Sequence, residues 1–358
     1  MAKWNKKLGL VFLNLGLLTM TPNFANADSC YDPCCDPCSF GGFEIGADFL
    51  YWKPCVDNMD YAVVRYSDTT EGTSPTTTTS KWGYKCLCLD WEPGFRIRFG
   101  KDDIWCNWRL NASYTWLDVN TSATCKVPDN ADYVTSPFFH PNFRFLQDPE
   151  FSDLTVVKGT YDTTYQTWDV LLAYDIACNR CHSFQPFFGV EGLILDQGIT
   201  ASGFVTEDIS DVDFYKTKWT SDFFGVGLKI GSDYQFQMFD CVKFYGSAAG
   251  TITVGDFDGK YTGYVVNASG EISKSIFADG DCCRVVPGYH LAAGLLYETD
   301  ACGCEFAIRL GWEFVQWHNV ANPRAFSSAL PLDEHYSSST DYTTLGFHGL
   351  VAGLDFSF

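Results

Sequence analysis

The chain has 358 residues, of which 46% are apolar and 17% aromatic, and its formal net charge is −20. The apolar content excludes a disordered chain, and the acidity argues against a nucleic-acid partner, because phosphate binding depends on clustered Lys and Arg. Past residue 20 no segment contains the roughly 18 consecutive apolar residues that a membrane-spanning helix needs, and the mean hydropathy is −0.08. The 30 Phe, 19 Tyr, 11 Trp and 16 Cys require an explanation.

The N-terminal residues predict a secretory signal peptide over residues 1–27. Three lysines precede an apolar stretch over residues 8–20, and Ala25-Asn26-Ala27 forms a cleavage site. A membrane anchor is the alternative, which the shortness of the apolar stretch disfavours. Export places the cysteines in an oxidising compartment.

After residue 27 apolar and polar residues alternate, which predicts β-strands rather than helices. The first apolar face reads Phe43, Ile45, Ala47, Phe49 and Tyr51. The same alternation recurs over residues 95–99, 104–116, 168–176, 188–194, 224–230, 242–254, 289–297, 306–314 and 350–358. These ten strands leave a stretch over 120–163 that could hold two more, around Tyr133–Phe145 and Phe151–Tyr161. We therefore predict an all-β chain of about ten to twelve antiparallel strands.

The connections between these strands alternate in length. Short links fall near residues 100–103, 177–183, 231–240 and 299–303, and long polar links near 54–85, 120–163, 197–217, 256–284 and 319–341. A transmembrane β-barrel has this arrangement, with short turns in the periplasm and long loops outside. A soluble sandwich also alternates apolar and polar residues but gives no reason for every second link to be long.

The aromatic residues concentrate near the predicted strand ends, where barrels carry girdles at the headgroup levels. Examples are Tyr51, Trp52, Tyr114, Trp116, Trp168, Tyr174, Tyr289, Tyr297, Trp312 and Trp317. The last alternating run closes on Phe358, which resembles the signal read by the outer-membrane assembly machinery.

The segment Gly41-Gly42-Phe43-Glu44-Ile45-Gly46-Ala47-Asp48-Phe49-Leu50-Tyr51-Trp52-Lys53-Pro54 resembles the opening strand of the major outer membrane protein family of Legionella and environmental chlamydiae. The Cys-rich leader over residues 32–38 also fits this family. The resemblance implies an integral protein of the bacterial outer membrane, a porin for passive diffusion of small hydrophilic solutes, and a Cys-rich, cross-linked envelope. It implies a Cys-rich periplasmic segment over residues 28–41 and a barrel over 42–358.

The faces opposite the apolar ones carry charges of both signs and predict the lining of a pore. The candidates are Glu44, Asp48, Arg96, Arg98, Arg109, Asp169, Glu191, Lys229, Lys243, Glu298, Arg309 and Glu313. They could form internal ion pairs that stiffen the barrel, or a transverse field that selects solutes by polarity. Glycines on these faces, such as Gly225 and Gly311, would leave room for water in a narrow barrel.

Nine cysteines lie in the N-terminal segment or at the predicted periplasmic rim and are candidates for disulfides: Cys30, Cys34, Cys35, Cys38, Cys178, Cys181, Cys241, Cys302 and Cys304. Our hypothesis is that they join neighbouring molecules, and the alternative is stapling of turns within one chain. The predicted partners are outer-membrane lipid, other envelope proteins through disulfides and a further copy of the chain.

No catalytic, cofactor or metal site is predicted. The six His residues lie in no nucleophile motif, Cys178-Asn179-Arg180-Cys181 lacks the βαβ surroundings of a redox motif, and the cysteine spacings do not match zinc knuckles. The alternative to a porin is a non-conducting structural protein, or a surface adhesin that uses its long loops.

Overall fold

The computed structural model describes residues 42–358 except 58, 71–76, 106, 140–153, 180–181, 205–213, 240, 267–270, 302–303, 322–324, 327–337 and 340–341. The predicted signal peptide and the Cys-rich segment lie outside the described residues. No helix among the described residues is long and apolar enough to cross a membrane.

The described regular structure consists of strands. They are β1 (Phe43–Val56), β2 (Asp60–Thr70), β3 (Thr77–Cys86), β4 (Glu92–Trp105), β5 (Trp108–Lys126), β6 (Tyr133–Thr135), β7 (Val156–Tyr174), β8 (Ile176–Asn179), β9 (His182–Phe204), β10 (Phe214–Phe239), β11 (Val242–Val266), β12 (Ile272–Ala301), β13 (Cys304–Ala321), β14 (Ala325–Phe326), β15 (Ser338–Ser339) and β16 (Tyr342–Ser357).

The main sheet closes on itself. Its order is β10-β11-β12-β13-β16-β1-β4-β5-β7-β9, and β9 pairs again with β10, so the antiparallel ladder forms a ring. The four-residue β8 pairs only with β9, which leaves ten strands in the wall. The predicted barrel is confirmed at the lower end of its expected strand number. Residues 133–135 form β6 in a separate sheet, and residues 156–161 belong to β7.

The ring closes where the first and last wall strands meet. The Phe43 amide donates to the Phe358 carbonyl oxygen at 2.8 Å, and the Phe358 amide donates to the Phe43 carbonyl oxygen at 3.0 Å. The two rings stack with centroids 6.3 Å apart. β1 pairs with β4 along its other edge, for example Phe49 with Phe95, so β1 has a backbone ladder on both edges.

One end of the barrel, the turn end, carries the short hairpins and the paired residues Phe43 and Phe358. The β4–β5 hairpin turns at Asn107, because Trp105 pairs with Trp108. Our prediction of a turn at 100–103 is therefore wrong: the ladder runs to Lys101 and continues after an irregularity. Asn107 has a φ of 61°, a left-handed conformation that Asn tolerates better than most residues.

The opposite end, the loop end, has longer strands than the sequence predicts. Two of the expected long links, 197–217 and 256–284, are largely hairpin ladders: β9 pairs with β10 out to Phe204↔Phe214, and β11 pairs with β12 out to Val266↔Ile272. Here the outward faces carry Thr, Lys and Asp, so the apolar half of the alternating pattern is missing although the backbone pairing continues.

The outward side of the wall is apolar between these ends. Phe49, Phe95, Phe224 and Ile230 are exposed, the last to 70%. Their neighbours in sequence point inward, as a period of two residues requires. This outward band is the surface that a bilayer would cover.

The loop-end half of the interior is filled by an apolar core. A second sheet, in the order β3-β2-β6, contributes to it and is called here the mouth sheet. Tyr61 and Val64 of β2 are buried in one cluster with inward residues of the wall such as Leu117 and Leu193. Trp52 and Trp317, which we predicted in an interfacial girdle, point into this core and are 1% and 2% exposed. For these two residues the girdle prediction is wrong.

Candidate functional site

The turn-end half of the interior contains a polar cavity of about 490 Å³. It reaches from rim residues such as Glu44 and Glu305 to Tyr165 and Trp317. All twelve predicted pore-lining residues lie in this interior: eleven line the cavity, and Asp48 is buried behind Arg98 and Arg309. They come from nine of the ten wall strands, and the alternation along each strand brings them together, since every second side chain enters the barrel. Whether solutes pass along them stays a prediction.

Asp48 is the centre of the first charge cluster. Its carboxylate accepts hydrogen bonds from Arg98 Nε at 3.1 Å, from Arg98 Nη2 at 3.0 Å and from Arg309 Nη2 at 3.1 Å. Arg98 Nη2 also donates to Asp355 Oδ1 at 2.5 Å. Four strands of the wall, β1, β4, β13 and β16, are thereby connected inside the barrel by side chains as well as by their backbone ladders.

A second cluster joins strands that are not neighbours. Arg96 of β4 donates both terminal nitrogens to the Glu313 carboxylate of β13, each at 2.8 Å. The same carboxylate lies 3.5 Å from His290 Nε2, and Arg96 Nη1 lies 3.6 Å from Asp48 Oδ2. A two-point Arg–carboxylate contact fixes both side chains in one plane, so this pair spans part of the interior as a rigid bridge.

A third cluster surrounds Lys229. Its ammonium group donates to Asp169 Oδ2 at 2.7 Å and to Glu191 Oε1 at 3.0 Å. Ser113 and Thr251 complete the cluster, donating to Asp169 at 2.8 Å and to Glu191 at 2.5 Å. A buried charge is tolerated when it is paired and hydrogen-bonded, and each member of this cluster meets that condition.

Two further pairs lie at the turn-end rim. Arg109 Nη2 lies 3.0 Å from Glu44 Oε2, and its guanidinium also contacts Asp102. Lys243 pairs with Glu298. The twelve predicted residues thus contain six cationic and six anionic side chains, and each has an opposite charge within ion-pair distance. The expectation of internal pairing agrees with this geometry.

Three further acids and one histidine line the cavity outside the twelve candidates: Asp233, Glu305, Asp355 and His290. Asp233 was missed because residues 231–240 read as a link, whereas β10 continues to Phe239. Tyr245 was also missed, since a single Tyr on a strand gives no signal that it lies in a charged interior. The extra acids give the interior nine carboxylates against six Lys and Arg.

The inward glycines do not leave an open path. A Cβ on Gly46 would lie 2.1 Å from Asp355 Oδ1, one on Gly353 would lie 2.1 Å from Asp48 Oδ1, and one on Gly311 would lie 2.1 Å from the Tyr245 hydroxyl. Larger side chains from neighbouring strands occupy the space that these glycines provide. These glycines therefore make room for the ion pairs and for Tyr245, which corrects our expectation that they keep a water path.

An aromatic layer separates the cavity from the apolar core. Trp317 Nε1 of β13 donates to the Tyr165 hydroxyl of β7 at 3.2 Å. These two strands face each other, with four wall strands between them on either side. Phe347 packs on Tyr165 with centroids 4.6 Å apart and on Trp52 at 5.9 Å. The layer therefore crosses the full width of the interior.

The cysteines divide between the two ends. Of the nine disulfide candidates, only Cys241 has a described side chain, an exposed free thiol at the turn end. Cys178 and Cys304 lie on β8 and β13, and the other six lie outside the described residues. Towards the loop end, free thiols are present at Cys55, Cys86, Cys88, Cys125, Cys282 and Cys283. No group of three or more His, Cys, Asp or Glu that could hold a metal ion occurs in the described part of the chain.

Comparison with solved structures finds outer-membrane proteins at low identity. The outer membrane protease OmpT of Escherichia coli is 8% identical, with 89% of this chain and 98% of that chain covered and a TM-score of 0.42. A Pseudomonas aeruginosa FadL homologue is 8% identical, with 89% and 90% covered and a TM-score of 0.27. Ail, the attachment invasion locus protein of Yersinia pestis, is 10% identical, with 89% and 99% covered and a TM-score of 0.24.

Comparison with families gives an extended match. No curated protein matches the chain. A family model described as the Legionella pneumophila major outer membrane protein precursor matches residues 35–358, which include the whole barrel. The chain belongs to this major outer membrane protein family, and it is an integral β-barrel protein of the bacterial outer membrane.

Proposed function

We propose that this protein is a porin for passive diffusion of small hydrophilic solutes, and that its loop-end half is closed in the conformation described here. The polar cavity of about 490 Å³ carries the proposal. A volume of that size holds on the order of ten or more water molecules. A barrel that served only as a stiff element would need the ion pairs but no cavity that reaches the rim.

The charge balance of the cavity supports a preference for cations. Beyond the six paired acids of the predicted set, Asp233, Glu305 and Asp355 add negative charge without added Lys or Arg. A lining with a net negative charge raises the local concentration of cations.

The closed half consists of two parts that differ in how they are held. The mouth sheet is carried by links between wall strands, and Tyr61 packs against the inward side of Gly159 on β7. The aromatic layer is carried by the wall itself, through Tyr165 and Trp317. A conducting state requires the mouth sheet to move out and the ring of Tyr165 to rotate away from Trp317.

Planar-bilayer recording of the refolded full chain tests the proposal. We expect brief, small steps for the wild-type chain and longer, larger steps for Tyr165→Ala/Trp317→Ala, because the aromatic layer is then removed. In a KCl gradient the reversal potential should have the sign of a cation-selective pore.

The matched control is Tyr51→Ala/Trp312→Ala, which removes two aromatic rings from the outward face of the same barrel. Its steps should equal those of the wild type. Absence of steps in the wild type and in both variants, with folded protein in the bilayer, would refute the porin.

A non-conducting structural barrel is the second candidate, and the apolar core favours it. That core is continuous from Val64 of the mouth sheet to Val315 near the cavity. If the interior never opens, the three bilayer experiments give no steps, so the same recordings decide between the two functions.

Cross-linking of the envelope through disulfides belongs to the same proposal. Cys241 supports it, because its thiol is exposed at the turn end, which faces the periplasm. Envelopes isolated with thiols blocked should give high-molecular-weight bands on gels without reductant, and these should collapse to a monomer when reductant is added. A monomer band without reductant would contradict cross-linking.

A further inference from the structure

Beyond the apolar band, towards the loop end, the outward side chains of the wall change from apolar to acidic and then to basic. The last row with apolar side chains contains Ile194 on β9 and Phe224 on β10, which pair directly, and on β11 it already carries Asp256 beside Phe224. The next outward row, called here the aspartate row, places four Asp side chains side by side on adjacent strands: Asp196, Asp222, Asp258 and Asp281. Charged side chains on the lipid face are costly inside the hydrocarbon, so the hydrocarbon ends close to the level of Phe224.

Farther from the membrane the outward wall becomes basic. Lys218 lies beside Thr200 and Thr262, and in the following row Ser202 lies between Lys158 and Lys216. We call Lys158, Lys216 and Lys218 the lysine patch. Lys158 and Lys216 are two strands apart, about 10 Å, and Lys216 and Lys218 are about 7 Å apart along one strand.

The described residues do not neutralise the positive charge of the lysine patch. Its three ammonium groups have no ion pair among the described residues, whereas Lys260, one row closer to the membrane, has Asp258 at 3.6 Å. Lys158 and Lys218 are exposed. In a chain with 44 acidic and 24 basic residues, three neighbouring cations and three hydroxyl donors form a surface complementary to an anion.

The spacing and the height of the patch define the anion. Ammonium groups about 7 to 10 Å apart suit several phosphates rather than one. Lys218 is six positions from Phe224, which places it about 20 Å along the strand and about 15 Å above the hydrocarbon for a tilted strand. A phospholipid phosphate lies at the level of the aspartate row, which repels it. A sugar headgroup that carries phosphates well above the acyl chains reaches the patch.

We propose that the lysine patch binds a multiply phosphorylated glycolipid of the outer leaflet. The acyl chains lie against the outward apolar band, and the phosphorylated sugars accept hydrogen bonds from the three lysines and from the hydroxyls of Thr200, Ser202 and Thr262. The membrane is the source of the ligand, because the patch lies on the outer side of the wall directly above the lipid-covered surface. This inference depends on the location of the protein in the outer membrane and not on whether the barrel conducts solutes.

The test measures binding of the refolded full chain in nanodiscs to a lipopolysaccharide with a phosphorylated inner core. The variant Lys158→Gln/Lys216→Gln/Lys218→Gln should bind about tenfold more weakly, as expected for three exposed charge contacts. The corresponding triple Lys→Arg variant should bind like the wild type. The matched control is Lys53→Gln/Lys81→Gln/Lys85→Gln, which removes the same charge elsewhere and should leave binding within twofold.

Further arms identify the ligand chemistry. Phosphatase treatment of the lipopolysaccharide should weaken binding to the wild type and leave the patch variant unaffected, and phosphatidylglycerol should not compete. Inositol hexakisphosphate added without lipopolysaccharide should bind weakly.

The proposal is overturned if the patch variant binds like the wild type, which would mean that the lysines are neutralised by other parts of the chain. It is also overturned if both Lys→Gln variants lose affinity equally, if phosphatase treatment has no effect, or if phosphatidylglycerol or the soluble phosphate binds as tightly. Heat-modifiable gel migration checks that each variant is folded.

Discussion

Individual charged residues inside the barrel are held by more than one partner. Asp48 contacts three arginines from β4 and β13, and its side chain has no exposed surface. Pairs of this kind contribute little net stability when they are intact, because desolvation offsets the attraction, but removing one partner leaves buried charge uncompensated. The consequence can be measured at this position.

Asp48→Asn keeps the shape of the side chain and removes its charge, which leaves Arg96, Arg98 and Arg309 close together without their central anion. We expect the free energy of unfolding to fall by about 3 kcal/mol. Urea titration in detergent, followed by Trp fluorescence, measures it. The control is Asp258→Asn, whose partner Lys260 is exposed and whose loss should cost less than about 1 kcal/mol. Equal losses in the two variants would contradict the central role of Asp48.

The thiol of Cys86 offers a second prediction at this scale. Cys86 Sγ donates to Asp60 Oδ1 at 2.6 Å, and this hydrogen bond raises the pKa of the thiol from 9.0 to about 11. Only the thiolate reacts with alkylating reagents, so the alkylation rate should rise with pH until the pH passes about 11. With Cys86 as the only accessible cysteine, Asp60→Ala should speed alkylation at pH 8 by about tenfold. A rate that does not respond to this change would show that the hydrogen bond does not form in solution.

The elements show which parts of the fold a sequence pattern can predict. Strands whose outward face is apolar and whose inward face is polar, such as the stretch from Phe43 to Asp48, are predicted with the correct orientation, because a lipid side and a wet side impose opposite residue types. The pattern fails at the loop end for two reasons. Beyond Phe224 the outward face is polar while Phe223 and Trp219 on the inward face are apolar, and in the core Trp52 and Trp317 are apolar on the inward face. Neither case follows the rule of an apolar outward and a polar inward face, so strand length and the filled interior depend on contacts between distant segments.

The mouth sheet makes such a distant contact where Tyr61 packs on Gly159, and a substitution at Gly159 tests it. A Cβ at this position would lie 2.5 Å from Tyr61 Cβ and 2.6 Å from its ring, so Gly159→Ala must displace β2. We expect a loss of about 1 to 3 kcal/mol in the packing of the mouth sheet, with faster proteolysis between residues 57 and 90 and more frequent channel opening. Gly250→Ala, whose Cβ would have nothing within 4 Å, should match the wild type. Equal proteolysis of the two variants would mean that Tyr61 does not hold the mouth sheet in place.

At the scale of the whole molecule, the division of thiols between the two ends tests the orientation of the barrel. Cys241 lies at the turn end and Cys88 in the link between β3 and β4 at the loop end, and both are exposed. In cells that carry single-cysteine variants, a membrane-impermeant maleimide should label Cys88 directly and Cys241 only after the outer membrane is permeabilised. The reverse result would require the opposite orientation in the membrane.

The seam between β1 and β16 has a consequence for the order of the chain. Phe43 and Phe358 exchange two backbone hydrogen bonds, as the residues flanking a hairpin turn do. A short linker from residue 358 to residue 42 would therefore complete a further turn at the same end as the others. Circular permutants opened within residues 205–213 or 267–270 would retain all ten strand pairings, because termini that lie together in space tolerate such rearrangement. The pairing of β1 with β16, which has the largest sequence separation in the native order, would then become local. Because closing it would no longer cost the most chain entropy, we expect this seam to form early in the folding of the permutant.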